Sequence, residues 1–188
     1  MAALPQEISD EVLLIRRWKE GDETRLAQLL DHPMIYDLSP YGPRKLPADL
    51  LEKEIAVQIQ SENQIRYVVI PRDLNQIIGT VGCHVLDGER LEIGFWTGFK
   101  YWNQGFTIRA VKLVVNVAKN CGRYSRIEAR CFERNSASAH ILKKSGFCLE
   151  GRINHFPLYD RPPESILTFF LTCPKVNSHI DETEFVAS

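Results

Sequence analysis

Apolar residues along the chain fall into two rhythms, one close to every second position and one close to every third or fourth. Glu11 to Trp18 (EVLLIRRW) is an extended apolar run that predicts a strand. Gly21-Asp22 then supplies a cap signal ahead of Leu26, Leu29 and Leu30 at helical spacing. Pro33 to Pro47, with four prolines, Gly42, Tyr36 and Tyr41, has the chemistry of a long loop. A second helical pattern follows, with Leu51, Ile55 and Ile59 on one face. Arg66 to Ile70, Ile77 to Leu86 and Leu91 to Thr97 predict an antiparallel meander, with Asp87-Gly88 a strong hairpin signal between the last two.

From Phe106 to Lys119 the polar positions Arg109, Lys112, Asn116 and Lys119 recur at intervals of three and four, so this helix is buried except along one stripe. Arg126 to Cys131 alternates strictly, with Ile127, Ala129 and Cys131 on one side, which predicts a half-buried strand. Asn135 to Lys144 opens on a capping residue and closes with Lys143-Lys144-Ser145-Gly146-Phe147, the cations, glycine and apolar residue expected of a helix end. Cys148 to Phe156 and Ser165 to Leu171 predict two closing strands around the turn Asp160 to Pro163. The order implies an α+β domain: a mixed, mostly antiparallel sheet with one parallel strand-helix-strand crossover between Leu91 and Cys131, and helices on both faces. A change of strand direction of this kind is where such sheets bind ligands.

Composition adds limits. The 188 residues suit one domain over 1–173 with a polar tail over 174–188, and the 44% apolar and 25% charged residues are ordinary for a globular chain. Lys+Arg 23 against Asp+Glu 24 gives a net charge of −1, which disfavours nonspecific nucleic-acid binding. No stretch approaches the ~20 apolar residues that cross a bilayer, and Met1 to Asp10 has no secretory pattern, so the expectation is a cytoplasmic protein with no membrane partner. Five cysteines without a CxxC or paired histidines predict reduced thiols and no metal site.

The chemistry-bearing segment is Gly98 to Thr107 (GFKYWNQGFT), whose Gly105 falls where a helix begins. Free backbone amides at a helix start can hold phosphate oxygens, although a glycine there is more often a packing device, and GxxxxGK[ST] is absent. The motifs Leu91-Glu-Ile-Gly-Phe-Trp96, Tyr101-Trp-Asn-Gln-Gly-Phe-Thr107, Arg126-Ile-Glu-Ala129, Asn135-Ser-Ala-Ser138, Lys144-Ser-Gly-Phe147 and Glu150-Gly151 occur in order. Together they resemble the GCN5-related N-acetyltransferases (GNAT), and within them the branch that acetylates ribosomal-protein alanine.

The resemblance implies an acetyl-CoA enzyme, with the pantetheine arm between two splayed parallel strands ending near Trp96 and Cys131. It implies pyrophosphate contacts to the amides of Asn103, Gln104, Gly105, Phe106 and Thr107, and receipt of the acetyl oxygen by amides near Phe95 and Trp96. It also implies that Asn135 helps hold the arm and that Ser138 lies near the leaving sulfur. The family prefers small residues at Asn103 and Thr107 and often a glutamate at Arg109, so cofactor affinity is the property these departures bear on.

Each residue also has a plainer reading. Glu92 shares a strand face with Gly94 and Trp96 and is either the acceptor of the amine proton or a cross-strand partner of an arginine such as Arg66. Ser138 either donates to the leaving thiolate or bonds back to a carbonyl one turn earlier. Asn135 is an N-cap, a pantetheine ligand or both. Arg109 is either solvated or turned to the phosphates. Cys131 is expected to be a core thiol, and His140, His155, Tyr159 and Asp160 to have surface or packing roles. The tyrosines of Pro33 to Pro47 either wall the acceptor pocket or anchor the loop. The expected activity is transfer of acetyl to a primary amine, a protein N-terminus or a small amine, by direct attack in a ternary complex of a monomer or homodimer. The alternatives are a noncatalytic acyl-CoA sensor and a partner-binding module.

Overall fold

The computed structural model describes residues 4–38, 47–61, 63–158 and 162–174. Tyr41, Tyr159, Asp160 and the tail beyond Pro174 lie outside these, as do the side chains of Tyr36, Leu51 and Ile59.

Eight strands form one sheet in the order β1-β2-β3-β4-β5-β6-β8-β7. The strands are β1 (Glu7–Ser9), β2 (Leu13–Arg17), β3 (Gln64–Pro71), β4 (Gly79–Val85), β5 (Arg90–Thr97), β6 (Arg126–Phe132), β7 (Cys148–Phe156) and β8 (Glu164–Thr172). Each neighbouring pair is antiparallel except β5 with β6, which run parallel across the helix between them. The helices are α1 (Glu23–Leu30), α2 (Pro33–Asp37), α3 (Ala48–Ile59), α4 (Phe106–Asn120) and α5 (Ser136–Lys144). The mixed sheet expected from the sequence is therefore present, with the parallel crossover where it was predicted.

Two elements differ from expectation. The first apolar run forms β2 as expected but is preceded by an unpredicted strand: the Asp10 carboxylate accepts from the backbone N–H of Val12 and Leu13, making a tight turn that folds β1 back onto β2. The proline-rich segment begins with a short helix, α2, because Pro33 sits at a helix start where its missing N–H costs nothing and the His32 ring accepts from Met34 N.

Asp22 stands at the N-cap of α1 but makes no side-chain cap. Its buried carboxylate takes both nitrogens of the Arg16 guanidinium at 2.8 Å and the backbone N–H of Lys19. A charge withdrawn from water needs such a partner more than a helix end needs its acceptor.

Tyr67, Val68 and Val69 are all buried, so β3 is covered on both faces. α4 packs against β1, β2, β4 and β5, α5 against β6 and β7, and α1 against α3. The amphipathic patterns are realised at Leu26, Leu29 and Leu30 in α1, Ile55 in α3, and Ala110, Val111, Val114, Val115 and Ala118 in α4. At the end of α5, Gly146 adopts φ +93° and Phe147 N returns to Leu142 O, the predicted stop. Among the described residues no helix is long and apolar enough to cross a membrane, and no cluster of three or more His, Cys, Asp or Glu side chains is placed to hold a metal ion.

Candidate active site

The site begins where a ladder stops. β5 and β6 pair from Arg90 opposite Arg126 to Ile93 opposite Ala129 and no further. Yet β5 stays paired with β4 as far as Thr97 opposite Gly79, and β6 with β8 as far as Phe132 opposite Ile166. The two central strands part from each other while each keeps its outer neighbour. A strand directs alternate backbone groups to its two sides, so the inner-side amides and carbonyls of Gly94 to Thr97 and Arg130 to Phe132 face an opening. An extended, hydrogen-bonding chain can enter such a gap as an added strand.

Along β5, Leu91 and Ile93 are buried while Glu92, Gly94 and Trp96 lie on the other, more open face, as the alternation predicted. A Cβ placed on Gly94 would meet nothing within 4 Å, so this position is the bare floor of the opening. Phe95 and Trp96 are half-buried beside it.

Past β5 the chain makes a 3-10 turn over Phe99–Tyr101, pinned by the Trp102 indole N–H donating to Thr97 O at 2.7 Å. The Gln104 side chain donates back to Lys100 O at 2.8 Å, so what Gln104 offers outward is its backbone. Asn103 (φ +59°) and Gly105 (φ +82°) are both left-handed, which turns the chain sharply into α4. Gly105 is the N-cap and brings no side chain, so it caps none of the amides of the first turn, where the helix dipole is positive.

The Thr107 hydroxyl is hydrogen-bonded to that of Thr97 at 2.8 Å, drawing the side chain toward the end of β5, and Asn103 is exposed. Arg109 takes a course that neither sequence alternative named. It pairs with Asp10 at 2.6 Å and with Glu11, strapping α4 to the β1–β2 turn. Burial alone would raise the Asp10 carboxyl, but the N–H groups of Leu13 and Val12 and the Arg109 guanidinium together hold it below the usual carboxylate range.

Glu92 lies opposite His84 and ion-pairs with Arg130 Nε at 3.1 Å. The partner is not Arg66, which lies across β4 opposite Gly82. The parallel register sets Glu92 beside Glu128, which brings Arg130, two residues on, to the same face of the adjoining strand. The alternation of Arg126, Glu128 and Arg130 was visible in the sequence; the pairing that gives Arg130 its role was not.

Asn135 is the N-cap of α5, its Oδ1 accepting from Ser138 N at 3.0 Å, and its Nδ2 donates to Leu38 O at 3.3 Å. The capping role is therefore present in full. The Ser138 hydroxyl is half-buried and, among the described residues, does not return to a carbonyl one turn earlier. Arg134, unremarked in the sequence, forks onto Asp37 and Glu164 at 2.6 and 2.7 Å and lies over the Phe132 ring, tying α2 and β8 to the start of α5. Cys131 is buried, which pushes its thiol up to about 11 and fits a core role over a nucleophile. His140 and His155 are exposed.

Comparison with known proteins agrees with this geometry. Residues 12–148 match the acetyltransferase (GNAT) domain family. An uncharacterized N-acetyltransferase, p20 of Bacillus licheniformis, is 23% identical over 80% of this chain and 80% of its own. The uncharacterized N-acetyltransferase YoaA of Bacillus subtilis is 30% identical over 64% of this chain and 69% of its own. Among solved structures, the ribosomal L7/L12 α-N-protein acetyltransferase RimL in complex with coenzyme A superposes with a TM-score of 0.80 at 16% identity, covering 90% of this chain and 97% of that one. The spermidine N-acetyltransferase of Vibrio cholerae, with CoA and spermine, gives 0.78 at 16% identity, covering 88% and 98%. With strands that part on cue, an uncapped helix start beyond them and a domain match across most of its length, the chain belongs to the GNAT family of acetyltransferases.

Proposed function

We propose that this acetyltransferase moves the acetyl group of acetyl-CoA to a primary amine, a protein N-terminal α-amine or a small amine, by direct attack within a ternary complex. The observation that carries the reading is the parting of β5 and β6 beyond Ile93 and Ala129, above a floor left bare at Gly94. A pantetheine arm is an extended chain of amides and suits the unpaired backbone on either side of that gap. The amides of Asn103, Gln104, Gly105, Phe106 and Thr107 are the seat for its pyrophosphate, with Gly105 leaving the backbone bare for close approach. Asn135 keeps the start of α5 fixed beside the end of β6.

In the reaction the amine lone pair attacks the thioester carbonyl carbon. The C–N bond forms, the C–S bond breaks, and the backbone N–H groups near Phe95 and Trp96 receive the negative charge growing on the carbonyl oxygen. Glu92, beside the gap, takes the amine proton directly or through a water. The Ser138 hydroxyl donates a hydrogen bond to the departing thiolate, which becomes free thiol by taking up through solvent the proton that Glu92 received from the amine. No covalent acyl-enzyme is needed: burial leaves Cys131 a thiol at neutral pH.

An α-amine with an ordinary pKa of roughly 7.7 to 8.0 is about a tenth neutral at pH 7, whereas a lysine amine near 10.4 is neutral about once in a few thousand. That difference favours α-amines, and with them the branch that acetylates ribosomal-protein termini. RimL supports this reading as a structural neighbour. The test is release of CoA thiol from acetyl-CoA across peptide N-termini, amino acids, polyamines and aminoglycosides. Amine-dependent release with α-amines ahead is expected; tight CoA binding without turnover would establish a sensor instead.

A further inference from the structure

We propose that Arg66 selects the acceptor: its guanidinium binds a carboxylate carried close to the reacting amine, so that the preferred substrate is an acidic peptide N-terminus. This deepens, and rests on, the acetyl-transfer reading above.

Arg66 projects from β3 directly opposite Gly82, and Gly82 is in turn directly opposite Gly94. A Cβ at Gly82 would collide with the Arg66 guanidinium and come within 3.0 Å of its Cδ, so the arginine lies down in the space that a side chain would otherwise fill. It stops short of Gly94, above which nothing stands within 4 Å. Adjacent strands are about 4.8 Å apart, so the guanidinium borders the floor of the opening at about one strand spacing.

Among the described residues the charge at this border has no counterpart. Arg109, Arg130 and Arg134 each hold carboxylates, but among the described residues the Arg66 side chain has neither ion pair nor hydrogen bond. Glu92, the carboxylate on the same face of β5, is paired with Arg130. A half-buried guanidinium has given up part of its hydration without compensation, and an anion that arrives with its substrate supplies it. The planar fork suits a carboxylate in two-point contact. At one strand spacing from the reacting amine, that carboxylate belongs to the first or second residue of a peptide. A polycation meets like charge at the same place.

The experiment compares tripeptide amides bearing Asp or Asn at the first or second position, with spermidine as a further arm, by thiol release from the full chain and from R66Q and R66K. Wild type is expected to favour the Asp peptide over its Asn twin by about 10- to 100-fold in kcat/KM, mainly through KM. R66Q should remove that preference, with R66K between them. A melting curve for each variant separates loss of selectivity from loss of fold. Acetylation that ignores the Asp/Asn difference, or that prefers spermidine, overturns the role of Arg66 while leaving acetyl transfer standing. Absence of thiol release with every amine overturns the acetyl-transfer reading itself and this inference with it.

Discussion

The bare floor at Gly94 makes activity and stability separable by one substitution. Gly94 is exposed, its φ lies outside the left-handed range, and a Cβ there meets nothing, so valine adds bulk without a clash. Valine also suits a strand better than glycine, on a scale spanning about 1 kcal/mol, and for a chain of this size that amounts to a rise in Tm of roughly 2–4 °C. In the opening the same methyl groups stand where amine and thioester must approach to about 3–3.5 Å, and a displacement of about 1 Å costs on the order of 100-fold. G94V is therefore expected to melt at or above the wild-type temperature while kcat/KM for thiol release falls by about 100-fold or more.

Gly79 in the neighbouring strand is the control. There a Cβ would collide with the carbonyl oxygen of Trp96 and stand 2.7 Å from Thr97 Cα, both backbone atoms that cannot swing aside. G79A is expected to cost about 1–3 kcal/mol, or roughly 2–12 °C in Tm. Calorimetry and the thiol assay on the same preparations decide the matter. A G94V enzyme within about threefold of wild-type kcat/KM would refute the placement of the reaction over Gly94.

S138A should slow turnover by about 10- to 100-fold, the worth of a hydrogen bond to a developing thiolate, with a smaller change in acetyl-CoA affinity by calorimetry; equal losses would mark the hydroxyl as structural. The Asp10 carboxyl, held below its unfolded value, contributes stability above about pH 4 that is lost as the pH falls through its folded pKa. Wild type should therefore lose Tm more steeply than D10N below pH 4, and parallel curves would refute the strap to Arg109. Burial raises Cys83 to about 12 and Cys131 to about 11, whereas Cys148 is exposed. Alkylation at pH 8 followed by peptide mapping should label Cys148 well before either, and equal labelling of Cys131 would contradict its place in the core.

Local sequence patterns specify the secondary-structure elements of this protein. Every strand from β2 to β8, and the helices α1, α3, α4 and α5, announced themselves through periodicity, caps and turn residues, because those signals are local and follow from the 3.6 and 2.0 repeats of the backbone. The motif order from Leu91 to Gly151 carried the family as well. The short β1 escaped because three residues have too little pattern, and it forms only when Asp10 turns the chain onto β2.

Partnership between side chains, in contrast, is set by the folded sheet. Whether Glu92 faces Arg66 or Arg130, and whether Arg109 reaches solvent, phosphate or the β1–β2 turn, depends on strand neighbours and register. The same is true of Thr107, drawn onto Thr97, and of Arg66, laid over Gly82. These contacts join residues far apart in the chain across a sheet whose order is not the order of the sequence. No local rhythm encodes them, and they exist once the hydrophobic faces have fixed which strands lie side by side.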